Sequence, residues 1–117
     1  MIRIRNQNLG IDQGDVVLFS DFDAGGPMWA ETGPREARQN VSFNETFRSV
    51  PAVSLSLSMW DINSSENSRG DLTVEQVTTQ GFVLVFKTWG DTKVARMRAA
   101  WTAMGELGYA DDWDVED

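Results

Sequence analysis

The chain has 117 residues, enough for one domain with one core. It contains neither Cys nor His, which excludes disulfides, thiolate metal sites, Ser-His-Asp and Cys-His catalysis, and the usual zinc centres. A net charge of −8 and a pI of about 4.4 oppose the basic face that phosphate binding needs, so no nucleic-acid partner is expected.

Residues 1–8 alternate Ile2 and Ile4 with Arg3 and Arg5, the pattern of a short strand or of an arm that pairs with a partner. The N-terminus has charge but no apolar h-region, so no secretory signal is expected. No apolar run nears the about 20 residues of a membrane helix, so no membrane insertion is expected either. Gly10 and Gly14 punctuate the next stretch, and Asp15–Phe19 reads as a second strand. Residues 20–38 hold three Gly, two Pro and, centrally, Trp29. They read as one long loop, and loops of that length in a small domain commonly carry function.

From Gln39 the strand pattern returns, with Val41 and Phe43 alternating with Asn40, Ser42 and Asn44. Pro51 opens a clear strand with Val53, Leu55, Leu57 and Met59 on one face and Ser54, Ser56 and Ser58 on the other. The serine face is either solvated or packed on a second copy of the chain. Residues 61–71 form a polar turn region, 72–78 a short strand, and 79–81 the next turn. Phe82, Leu84 and Phe86 then alternate with Val83, Val85 and Lys87, a strand with one well-buried face. Trp89, Gly90, Asp91 and Thr92 break that pattern in a tight turn. Trp89 there is either an exposed stacking surface or a cover over the core edge.

The last segment admits two readings. Val94, Met97, Trp101 and Met104 fall at helical spacing, while Ala95, Met97, Ala99 and Trp101 alternate with Arg96, Arg98 and Ala100 as in a strand. The run of short strands upstream favours the strand, and the whole predicts an all-β fold, an antiparallel β-sandwich of six or seven strands. Five of the last seven residues are acidic, the composition of a solvated tail. The expected division is an N-terminal arm or docking strand over 1–10, a sandwich over 11–106 and an acidic tail over 107–117.

These residues resemble a known family. Asn40-Val-Ser-Phe43, Pro51-Ala-Val-Ser-Leu-Ser-Leu57, Trp60-Asp-Ile-Asn63, Asn67-Ser-Arg69, Val77-Thr-Thr-Gln-Gly-Phe82, Thr88-Trp-Gly-Asp-Thr-Lys-Val94 and Ala100-Trp101 follow the order of an H-type lectin domain. Snail agglutinins and the C-terminal domain of discoidins share that fold. The resemblance implies a six-stranded sandwich that trimerises and binds galactose or N-acetylgalactosamine between neighbouring protomers. The family's sugar-binding Arg falls on Arg69 and its Trp on Trp89. A guanidinium can donate two parallel hydrogen bonds to adjacent hydroxyls, and an indole can cover an apolar sugar face.

Departures from the family pattern are equally plain. The aspartate of the family's first long loop is matched near Glu31 or Thr32, and the longer Glu31 would move the sugar. The residue after the Trp, often His, is Gly90, and an aromatic further along is Ala95. Without the resemblance, Arg69 reads as a turn arginine paired with Glu66 or Asp71, and Asp91 as a cap on its own turn. Trp29 can line the same site as Glu31, and Trp101 reads as core. The Arg69-Gly70-Asp71 triplet and the sequons at Asn40, Asn44 and Asn63 carry little weight. Asp21 and Asp23 lack any EF-hand spacing, so no structural metal and no cofactor are expected.

The expectation is a non-enzymatic, trimeric lectin-like module for galactose- or N-acetylgalactosamine-type glycans, suited to cell-surface attachment. Its site would draw on Arg69, Trp89, Glu31, Thr32, Gly90 and Asp91. The competing expectation is a structural or docking piece of a larger assembly, such as a phage-like fibre or spike, with a degenerate sugar site and the arm seated on a partner. A carboxylate-only glycosidase has no supporting constellation of acids. Synthesis in the cytoplasm is expected, with a later place on a virion-like particle or a cell surface.

Overall fold

A computed structural model describes residues 1–5 and 8–108. Among the described residues, six strands and one short helix follow in the order β1 (Leu9–Ser20), α1 (Pro27–Ala30), β2 (Arg35–Ser42), β3 (Ala52–Ile62), β4 (Asp71–Glu75), β5 (Gly81–Thr88) and β6 (Val94–Glu106). The strands form two three-stranded antiparallel sheets, ordered β1-β6-β3 and β2-β5-β4. This is the expected antiparallel sandwich.

Strand β6 is central in the first sheet, and its sequence explains why it is a strand. Ala95, Met97, Ala99, Trp101 and Ala103 are buried while Arg96, Arg98 and Met104 are exposed. A helix would have put Met104 on one stripe with Trp101. Instead Met104 is 42% exposed and Trp101 only 6%. The small alanines let the two sheets approach, and the space they leave is filled by rings. Phe43, Phe82 and Trp101 meet pairwise with centroids 5.4–5.9 Å apart, distances at which tilted and edge-to-face aromatics attract.

Strand β5 is central in the second sheet and is buried on both sides from Phe82 to Phe86, where the sequence pattern implied one buried face. The second face has a physical cover. Arg38 on β2 lies opposite Val85, and Glu75 on β4 lies opposite Val83. Their ion pair at 3.3 Å therefore crosses over β5, and the aliphatic stems shield both valines.

Three boundaries differ from the sequence reading. Residues 1–5 carry no strand, whereas β1 begins at Leu9 and runs through Gly10 and Gly14. Gly14 is the smallest residue that fits there, because a Cβ would lie 2.6 Å from the Trp101 indole nitrogen. The loop read over 20–38 ends at Pro34, since Arg35–Arg38 pair with β5 and the loop itself contains α1. In β3 a register shift between Leu57 and Met59 breaks the alternation, so Trp60 packs against the core in place of Met59. Leu57 is left half exposed at the sheet edge. The acidic run at 111–117 lies outside the described residues.

Candidate functional site

The loops after β1, β3 and β5 meet at one end of the sandwich, and short-range chemistry locks them together. Thr92 is buried and works as a clasp: its hydroxyl donates to the Asn67 carbonyl at 2.5 Å and accepts the Arg69 backbone N–H at 3.0 Å. The Thr88 hydroxyl donates to the Arg69 carbonyl, also at 2.5 Å. These bonds hold the Arg69 backbone from both sides, so its position is set by buried threonines at the end of β5 and in the β5–β6 turn.

The Arg69 side chain reaches Asp91, with Nη1 to Oδ1 at 2.8 Å. Neither partner suggested by sequence proximity, Glu66 or Asp71, holds it. The Asp91 carboxylate also receives the Asn67 backbone N–H at 3.5 Å. Slight desolvation opposes its ionisation, but hydrogen bonds from the Asn67 and Asp91 backbones, and then the Arg69 guanidinium, outweigh this and hold its carboxyl below the ordinary value. Asp91 is thus a turn carboxylate that also orients Arg69. Nε and Nη2 of Arg69 take no part in that pair and remain on a side chain 38% exposed.

Gly90 makes the close approach feasible. Its φ is +70°, a left-handed conformation, and a Cβ there would lie 3.2 Å from Arg69 Nη1. Its carbonyl accepts the Gly33 N–H at 2.8 Å and the Arg35 Nη2 at 3.4 Å, tying the first loop to this turn. Arg35 is buried and also donates to the Gly33 and Met28 carbonyls. Sequence reasoning missed Arg35 as the loop's anchor, because a buried arginine that bonds only to backbone carbonyls leaves no motif. Glu31 joins the assembly through its carbonyl, which accepts Lys93 Nζ at 3.2 Å. Its side chain and that of Thr32 are exposed beside it.

Arg69, Gly90 and Asp91 are therefore brought together, with Glu31 on the adjoining loop. Trp89 is 44% exposed and belongs to neither core cluster. It opens, with Pro34, Asp71 and Lys87, onto a cavity of about 380 Å³ that Arg69 does not line. Trp29 lines a different groove, with Asp61 and Arg96. It packs edge-to-face on Phe22, centroids 5.0 Å apart, beside the outer end of the first sheet.

Residues 38–104, from β2 through most of β6, match the model of the H-type lectin domain. The chain belongs to the H-type lectin domain family. A protein of Fuscovulum blasticum, the ATP synthase subunits region ORF 7, is 50% identical over 99% of this chain and all of its own length. Discoidin-2 of Dictyostelium discoideum is 38% identical over 54% of this chain, and the match spans 25% of that protein. In structure, discoidin II of Dictyostelium discoideum superposes with a TM-score of 0.73 at 27% identity, covering 87% of this chain and 39% of that one. The lectin domain here thus corresponds to well under half of the discoidins. A tailspike protein of Pseudomonas phage LKA1 shares the fold alone, with a TM-score of 0.53 at 11% identity over 86% of this chain and 15% of that one.

Proposed function

We propose that the chain is a non-enzymatic carbohydrate-binding module that acts as a trimer. It takes galactose- or N-acetylgalactosamine-type glycans at the Arg69 loop, completed by the first loop of a neighbouring protomer. The observation that carries this reading is the posture of Arg69. Buried threonines fix its backbone, Asp91 fixes its Nη1, and its remaining guanidinium N–H groups are left for adjacent sugar hydroxyls. Trp89 supplies apolar surface nearby, and Glu31 and Thr32 are the exposed groups of the first loop. Three weak sites on one trimer would act by avidity in attachment to a glycan-bearing surface.

A glycan array of the purified protein beside Arg69→Ala tests this. Expected is binding to galactose- or N-acetylgalactosamine-terminated glycans that the variant loses, from a particle of three times the 13.1 kDa chain mass by sedimentation. A blank array from a folded trimer overturns it. One observation favours the second reading, a docking component of a larger assembly: Gly90 and Ala95 stand where the family pattern has its His and a further aromatic. On that reading the array is blank and Arg69→Ala changes nothing.

A further inference from the structure

We propose that the basic N-terminal arm is the docking strand for the chain's own acidic tail, the two continuing the β1–β6 ladder beyond the sandwich. The inference uses no residue of the Arg69 loop and does not depend on the lectin reading. Residues 6–7 and 109–117 lie outside the described residues, whereas the arm, Met1–Arg5, and the ladder that leads toward it lie within them.

Strands β1 and β6 are antiparallel neighbours, and their pairing steps one for one from Val17 opposite Arg98 to Leu9 opposite Glu106. A bond from the Leu107 N–H to the Asn8 carbonyl, at 2.8 Å, keeps that step past the strand ends. The Asn8 amide donates to the Gly108 carbonyl at 3.0 Å. The two segments therefore leave the sheet as neighbours. Arg5 is drawn to the same edge, since its backbone N–H donates to Glu106 Oε1 at 2.8 Å. Continued at the same step, the ladder sets Arg3 opposite Asp112 and Ile2 opposite Trp113.

The side chains match at that register. Alternation puts Arg3 and Arg5 on one face with Asp112 and Asp114, and Ile2 and Ile4 on the other with Trp113. Opposite charges, and an aromatic facing a β-branched residue, both stabilise paired strands. Ile2 and Ile4 are exposed at 44% and 37%, apolar surface that a partner strand would cover. The rest of the chain repels the tail. Of its 18 acids five lie in residues 111–117, and the others still outnumber the 10 bases. The arm differs, with two arginines and no acid in five residues. Tethering also favours the chain's own tail over a second molecule, because a segment anchored at Leu107 has an effective concentration on the order of millimolar. The arm of the free chain is thus occupied, and an acidic partner strand would have to displace the tail.

The test follows the indole N–H resonance of Trp113 in the ¹⁵N-labelled full chain, identified by its loss in Trp113→Phe. Removal of residues 1–5 should move that resonance. Raising NaCl from about 20 mM to about 1 M, where the screening length falls to about 3 Å, should move it toward the same position. Arg3→Glu with Arg5→Glu should place it there at low salt. Adding Asp112→Lys and Asp114→Lys to that reversed arm should restore a shift on removal of residues 1–5. Ile2→Cys with Trp113→Cys, in a chain otherwise free of cysteine, should oxidise to a disulfide within one chain, read as a monomer on a non-reducing denaturing gel. The proposal is overturned if removal of residues 1–5 leaves the Trp113 resonance in place, or if charge reversal has no effect. It is equally overturned if the second reversal gives no rescue, or if the disulfide links two chains.

Discussion

Trp89 and Asp91 sit two residues apart in one turn and do different work, which their environments explain. Trp89 contributes little to the core, being 44% exposed and bordered by Pro34 and Lys87. Trp89→Ala should therefore leave Tm nearly unchanged in a thermal melt while glycan binding on the array falls away. A large drop in Tm would show that the ring holds the turn together instead. If Arg69 binds glycans as proposed, Asp91 sets the acid limit of that binding. Its folded carboxyl lies below the ordinary value of 3.8, so its contribution is fully present above that value and is lost as pH falls through the lower folded one. Arg69-dependent binding should hold level from about pH 8 to about pH 5 and fail only below the ordinary carboxylate range. A midpoint well above 3.8 in a pH series would mean that another group controls the site.

Among the elements, β6 has the greatest consequence for stability. It pairs with β1 on one side and β3 on the other, and its inward face supplies residues to both halves of the core. Trp101 is the large residue on that face, against Phe43 and Phe82 and under Gly14. Truncation there removes a ring that its neighbours cannot replace, because alanines flank it along the strand. Trp101→Ala should cost about 3–5 kcal/mol in denaturant unfolding. A cost below about 1 kcal/mol would mean that the sheets collapse to fill the space.

For the whole molecule, the N-terminal segment distinguishes fold from assembly. Met1–Arg5 are exposed, and Arg5 donates its backbone N–H to Glu106 Oε1 at 2.8 Å. Asn8 is different, since its carbonyl accepts the Leu107 N–H and its amide donates to the Gly108 carbonyl. Removal of residues 1–5 should thus leave Tm and oligomeric mass unchanged, measured by calorimetry and sedimentation. If the arm docks on a partner, the same deletion abolishes incorporation into the assembly. An unfolded or smaller particle would place the arm within the fold or the oligomer contact.

Alternation marked the strands between 39 and 87, but it left β6 open to a helical reading, which only the run of short strands upstream weighed against. It also led to the all-β class and, with the ordered motifs from Asn40 to Trp101, to the H-type lectin family. Composition removed the chemistry of Cys and His. The tertiary structure alone decided where β3 changes phase, because a bulge depends on the register of β6 and leaves no local mark. It alone paired Arg69 with Asp91, residues 22 positions apart in sequence, over the nearer Glu66 and Asp71. It buried both faces of β5 beneath an ion pair drawn from β2 and β4. It also set Trp29 in a groove beside Asp61 and Arg96. Contacts of this kind join strands distant in the chain, and a periodic pattern records only which face a residue takes, not what stands opposite it.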